Sequence, residues 1–448
     1  MNQGFRGCLA AAGVGLVMAL VGPAFAQKPG GILQMPGFTS PASMSIHEES
    51  TIAAGIPLMG VFNNLVLFDQ HVPQNSLASI VPDLASDWSW DETGAALTFR
   101  LRQGVKWHDG KPFTARDVKC TWDALAGKGD EKFRVNPRKS WYRALDEITT
   151  NGDYEVTFHL KRPQPYLIAL LASGQSPVYP CHVPLREMRS HPIGTGPFKF
   201  VEYKPNEHIR VVRNPDYWKK GRPYLDGIET TIIPSVSTRA LAFVSGKFDM
   251  IQLSMAQLKD VRAQAPQAAC EVVMDNNSRD LLINRAVPPF DNLESRRAMA
   301  LSLDRQAFID ILTEGQGAVG GSIMPPPDGV WGMPPEVLHT LPGYGPDVQK
   351  NLTEARAIMH QLGYGRDKRV EVKVSTRDVS GYRDFAIAGD LHRRRAGAHR
   401  HRKLVPAGHA QGLQGRRHGL RRRSRRARPE ILRNLRLRRR PQLHRLLQ

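Results

Sequence analysis

The sequence predicts a mixed α/β or α+β protein of two or three domains, and three observations lead there. At 448 residues the chain exceeds what a single compact core accommodates. Short stretches alternate apolar and polar side chains with the period of a half-buried strand, while others repeat apolar residues three and four apart, as one face of a helix requires. The two kinds follow one another without regular alternation and without a fixed-period repeat.

Taken from the N-terminus, residues 1–26 read as an export signal. Arg6 supplies the positive charge, Leu9 to Val21 is an apolar run, and Ala24-Phe25-Ala26 places small residues where a signal peptidase cuts. The run is shorter than the roughly 20 residues that cross a bilayer, so secretion is favoured over anchoring and the mature chain is expected to start at Gln27. Cys8 precedes the run instead of following it, which disfavours a lipoprotein.

Beyond it, Leu97, Phe99 and Leu101 predict one half-buried strand, and Val156, Phe158 and Leu160 another. Between them, Thr114-Ala115-Arg116-Asp117 resembles a capping box opening a helix whose Val118, Trp122 and Leu125 share a face. Phe198, Phe200, Ile209 and Val211 flank Pro205-Asn206 as two strands of a hairpin. Asn292 to Thr313 carries helical spacing in two pieces, the second starting near Asp304. The following "MPPPDGVWGMPP" is too rich in proline for either regular structure.

Three cysteines follow the signal, Cys120, Cys181 and Cys270, widely spaced and without a C-x-x-C pair. They allow one bridge at most, with one thiol left over, and no zinc knuckle. The net charge of +20 would point to nucleic acid were it spread over the chain. Residues 391–448 hold 19 Arg and one Lys against Glu430 alone, so this stretch carries +19 and the other 390 residues +1. It also contains no aromatic residue, so two compositions are joined in one chain.

The polar motifs carry little chemistry. In "GVKWHDGKPFTARDV" (residues 104–118), His108 and Asp109 are neighbours and would point to opposite faces of a strand, while Asp109-Gly110 and Pro112 have the character of a turn. "GTGPF" (194–198) lacks the Lys-Ser/Thr ending of a phosphate loop and leads into a strand, where a phosphate cradle needs a helix. No nucleophile elbow, zinc-protease motif or inward carboxylate pair is present. No catalytic residue, metal ligand or cofactor is assigned.

Four blocks carry a family resemblance: "LASDWSWDETGAALTFRLRQGVKWHDGKPFTARDVKCTWD", "IGTGPFKFVEYKPNEHIRVVRNPDYW", "ALAFVSGKFDM" and "NRAVPPFDNLESRRAMALSLDRQAFI". In this order they resemble the extracytoplasmic solute-binding proteins, family 5, of ABC importers, the dipeptide, oligopeptide and nickel-binding type. The resemblance spans residues 30 to about 390 and implies an α/β, two-lobed periplasmic-binding-protein fold (type II-like) with an extra inserted domain. Lobe I would comprise 27–70 and 186–285, the inserted domain 71–185, and the start of an incomplete lobe II 286–390. Such a protein captures a small peptide or peptide-like solute between its lobes and closes on a hinge. As a monomer it would then meet an ABC permease and its ATPases in the periplasm, without making or breaking a bond.

By position within that family, ligand contacts are expected at Ser43, Met44 and His47, at Asn63 and Asn64, at Asn276, Asn277 and Arg279, and at Trp331. Each has a structural alternative: Met44 as core, His47 and the asparagines as caps or turns, Arg279 as a solvated charge, and Trp331 as cover for an apolar edge. Many relatives have V-Y-E-x-L where this chain has Val61-Phe62-Asn63-Asn64-Leu65. The departure removes an acidic group and weakens transfer of the usual contact to a peptide amine.

The Arg-rich tail departs further. Arg codons of the CGN type, shifted by one base, become GNN codons for Gly, Ala, Val, Asp or Glu. The stretch from His392 to Arg402 then permits "IAAELEPIGI", an apolar and acidic helix segment of the kind the family carries there. Residues 391–448 are therefore expected to be out of frame and disordered, leaving this copy impaired. The competing reading is an exported basic protein binding nucleic acid or anionic lipid through that tail. The solute-binding reading expects no nucleic-acid partner.

Overall fold

The computed structural model describes residues 29–72, 75–272, 280–320, 333–376 and 386. The chain divides into units 1–405 and 406–448, and the second lies wholly outside the described residues. The expectations for residues 1–26, the Arg-rich tail, Asn276, Asn277, Arg279 and Trp331 also fall outside them.

Along the chain, β1 (Ile32–Gly37) leads to α1 (Ile52–Leu58), then β2 (Val66–Phe68) and β3 (Ile80–Pro82) pair antiparallel. Next come β4 (Ala85–Trp90), β5 (Ala96–Leu101), α2 (Ala115–Ala126), β6 (Leu145–Thr150), β7 (Glu155–Leu160) and α3 (Leu167–Ala172). The four strands form an antiparallel sheet in the order β4-β5-β7-β6. The expected alternation is realised: Leu97 faces Phe158 and Phe99 faces Val156 across the β5–β7 ladder, and all four are fully buried. α2 starts at the expected box, with Thr114 N–H donating to Asp117 Oδ2 at 2.9 Å, and sends Val118, Trp122 and Leu125 into the core.

The chain then forms β8 (Phe198–Lys204), β9 (His208–Arg213) and β10 (Gly227–Ile232). β8 and β9 are the expected hairpin, closed by Asn206 at φ 63°, whose N–H donates to Ser40 Oγ at 2.7 Å. β10 pairs antiparallel with β9 and parallel with β1, so a strand from the chain's start completes a sheet ordered β1-β10-β9-β8. A continuous apolar core joins the two four-stranded sheets, from Met44 through Phe99, Trp122 and Phe158 to Val211.

Among the described residues no strand follows Ile232. Instead come α4 (Val236–Val244), α5 (Met255–Gln264), α6 (Leu293–Leu301), α7 (Arg305–Thr313), α8 (Pro335–Leu338) and α9 (Val348–Gln361). α6 and α7 are the two expected pieces: Asn292 accepts from Glu294 and Ser295 N–H, and Asp304 accepts from Ala307 N–H at 3.0 Å. α6 packs against α9 in a small core made of Ala298, Leu301, Ala355 and Ile358. α4 and α7 bury none of their side chains, and Leu241 and Ile311 remain exposed. Leu282, on the segment before α6, is 97% exposed.

Cys120 on α2 is bonded to Cys181, and Cys270 is free, in keeping with one bridge and one thiol.

Candidate functional site

The expected contact loop lies deep under the surface. Met44 and His47 are 0% exposed, Ser43 4%, and Asn63 and Asn64 each 8%. Ser43 Oγ accepts from Ser45 N–H at 3.1 Å, and Met44 N–H donates to the Arg189 carbonyl at 2.9 Å. His47 packs between the rings of Tyr179 and Phe133, with centroids 4.4 and 5.4 Å away. Its Nε2 donates to the Pro177 carbonyl at 2.7 Å, while Nδ1 has no partner among the described residues. Burial holds this imidazole far below its ordinary pKa, at about 3, since protonation would place a second N–H where nothing accepts it. Beside it, Glu48 receives both Nε and Nη2 of Arg189 at 2.8 and 2.9 Å.

Asn63 and Asn64 are equally committed. Asn63 Nδ2 donates to both oxygens of Asp83 at 3.2 and 3.0 Å, and its Oδ1 accepts from Thr195 Oγ1 and Trp218 Nε1. Asn64 Nδ2 donates to the Ser173 carbonyl at 2.7 Å. Asp83, 2% exposed, also receives Lys219 Nζ at 2.7 Å. Burial pushes its carboxyl above the ordinary range, against the pull of Lys219 and Asn63. Sequence reasoning missed this Asp83–Lys219 pair because 136 residues separate its members and neither belongs to a local pattern.

The two glycine and histidine motifs meet each other. A Cβ on Gly194 would lie 1.8 Å from the Val61 carbonyl oxygen, and one on Gly196 2.5 Å from that of Gly60. The glycines of "GTGPF" therefore let two backbones touch. His108 closes the contact: its Nδ1 accepts from Gly194 N–H at 3.2 Å and its Nε2 donates to the Gly196 carbonyl at 3.0 Å. Burial lowers this imidazole to about 4, and the Gly194 N–H aimed at Nδ1 likewise opposes a proton there. Trp107, 2% exposed, points the other way to donate to Asp117 Oδ2, and Asp109 turns outward to His182 at 2.7 Å. The three neighbours thus serve three separate contacts.

Among the described residues, no group of three or more His, Cys, Asp or Glu is placed to hold a metal ion. No helix among them is long and apolar enough to cross a membrane.

Comparison with known proteins gives this scaffold its context. Heme-binding protein A of Haemophilus influenzae is 27% identical over 326 residues, covering 68% of this chain and 56% of the relative. Oligopeptide-binding protein AppA of Bacillus subtilis is 29% identical over 286 residues, covering 60% and 49%. The chain thus spans about half the length of the curated relatives it matches. The solved structure of Bacillus subtilis AppA in complex with a nonapeptide shares the fold at a TM-score of 0.69 and 23% identity, covering 85% of this chain and 75% of that one. The model of the bacterial extracellular solute-binding proteins, family 5 Middle, matches residues 79–386, and the chain belongs to that family.

Proposed function

We infer that this protein is the solute-binding component of an ABC importer, exported to the periplasm through residues 1–26, and that its cargo is a peptide or peptide-like molecule. The family match over residues 79–386 carries the reading. The peptide-binding relative and the nonapeptide complex of the same fold support the cargo class. Lobe I corresponds to 27–70 and 186–285, in keeping with a sheet that joins β1 to β8, β9 and β10. The inserted domain corresponds to 71–185, which contains the whole β4-β5-β7-β6 sheet. Residues 286–390 begin lobe II.

Capture follows from contacts to both lobes that exist together only when the jaws are shut, so the solute selects the closed form. A permease with its ATPases then receives the closed form, and no bond in the solute changes. In this reading Asn276, Asn277, Arg279 and Trp331 meet the solute. Ser43, Met44, His47, Asn63 and Asn64 hold the near wall rigid from behind, in keeping with their burial. Residues 391–448 are the product of a shifted reading frame and do not carry the lobe II sequence of the family. The exposed apolar positions on α4 and α7 fit that reading.

Calorimetric titration with a dipeptide and oligopeptide library tests both parts. A chain translated in the restored frame is expected to bind saturably and the 448-residue chain weakly or not at all. Equal tight binding by both would overturn the frame reading, and no binding by the restored chain would overturn the cargo class.

A further inference from the structure

A cationic cavity lies in the β4–β7 body, well away in sequence from every residue assigned to the solute. It has a volume of about 550 Å³ and opens where the C-terminus of α2, the 3-10 turn Lys139–Tyr142, the start of β6 and the end of β7 converge. Lys128, Lys139, Arg143 and Lys161 line it, and an adjoining cavity of about 150 Å³, which shares Asn136 and Lys139, adds Lys132. The backbone sets this convergence. Gly127 ends α2 in the left-handed region at φ 78°, and Lys161 N–H donates to the Ala144 carbonyl at 2.8 Å.

Five cations stand against one carboxylate. Asp146 reaches Lys128 at 3.9 Å, a weak exposed pair, while Lys132, Lys139, Arg143 and Lys161 have no carboxylate in ion-pair range among the described residues. Asp130 and Glu131, on the loop after α2, line neither cavity, and Glu131 is occupied by Leu185 N–H. Like charges gathered without counter-charges repel, and a bound anion relieves that repulsion. Asn136, which lines both cavities, is fixed in place by its Nδ2, which donates to the Leu125 carbonyl at 2.8 Å.

We propose that this cavity binds the phosphate group of a phosphate ester, with Lys139, Arg143 and Lys161 on the phosphate oxygens. Free glycerol phosphate and the headgroup of phosphatidylglycerol share this chemistry. The site is distinct from solute capture and does not depend on it.

The test uses the full chain, so that the basic tail contributes equally to parent and variants. Glycerol phosphate is titrated into the parent, the double variant Lys139→Ala with Arg143→Ala, the variant Asp146→Asn, and the control Lys119→Ala, whose lysine is paired with Asp123 on the outer face of α2. Parallel retention on phosphatidylglycerol vesicles, with phosphatidylcholine as blank, identifies the source. One site per chain is expected, weakened more than about tenfold by the double variant, tightened up to about fivefold by Asp146→Asn, and unchanged in the control. The same pattern on vesicles alone assigns the site to the lipid headgroup. Equal behaviour of parent and double variant in both arms overturns the proposal.

Discussion

Lowering the pH from 7 toward 4 forces a choice on two imidazoles that the fold keeps neutral. His47 is held at about 3 and His108 at about 4, against an ordinary value of 6.5, in both cases chiefly by burial. In the unfolded chain both take up a proton below pH 6.5, while in the folded chain neither does until far lower. The unfolded state therefore binds more protons across that interval, and stability falls as pH falls. At about 1.4 kcal/mol per pH unit, the full interval is worth about 5 kcal/mol for His47 and about 3 kcal/mol for His108. The loss begins near pH 6.5 and is complete for His108 below about pH 4 and for His47 below about pH 3. Asp83 and Asp117, whose carboxyls burial raises, act with the opposite sign, since their protonation favours the folded state, and they soften the lower end. The assay is guanidinium unfolding followed by tryptophan fluorescence at pH 7.5, 6.0 and 5.0, on the parent and on His47→Phe with His108→Gln. The parent is expected to lose midpoint steadily and the double variant to lose much less. A flat parent, or equal slopes in the two proteins, would refute the assignment of neutral buried imidazoles.

Reducing the Cys120–Cys181 bond, or replacing both cysteines by serine, frees a loop spanning 61 residues; by chain entropy this is expected to cost up to about 4 kcal/mol, read as a fall in Tm. Gly194→Ala and Gly196→Ala each drive a methyl into carbonyl oxygens of residues 60 and 61, and either is expected to cost about 3 kcal/mol or more in chemical denaturation, whereas Gly110→Ala, with open space around its Cβ, costs only the strain of its positive φ. Hydrogen exchange should separate the two parts of the described chain: amides of β5 and β7, whose Leu97, Phe99, Val156 and Phe158 are fully buried, exchange last, and those of α7, which buries none of its side chains, exchange early.

Where a residue's surroundings are local, the sequence was readable. The period-2 runs around Phe99 and Phe158, the Thr114–Asp117 box, the Asn206 turn and the Asp304 helix start each depend on residues within a few positions, and each stands in the structure as expected. His108 and Asp109 stand in the expected turn, whose Gly110 N–H donates to the Trp107 carbonyl, and their side chains part, one inward and the other outward. The surroundings of Ser43 to His47 were not readable, because Tyr179, Phe133 and Arg189, which cover that loop, arrive from 80 or more positions away. The same holds for Asp83, whose Lys219 partner completes a charge pair only after β8 and β9 are in place. The cationic cavity is not legible in the sequence for a related reason: Lys128, Lys139, Arg143 and Lys161 form no run, and the arginines beyond residue 391 dominate any count of charge.

Small-angle scattering of the restored-frame chain, with and without a saturating peptide pool, tests the central claim most directly. The radius of gyration is expected to fall on saturation, and the peptide to be recovered with its mass unchanged when the protein is unfolded. A scattering curve that does not move under demonstrated saturation, or recovery of the peptide as fragments, would contradict a protein that grips its solute by closing and releases it intact.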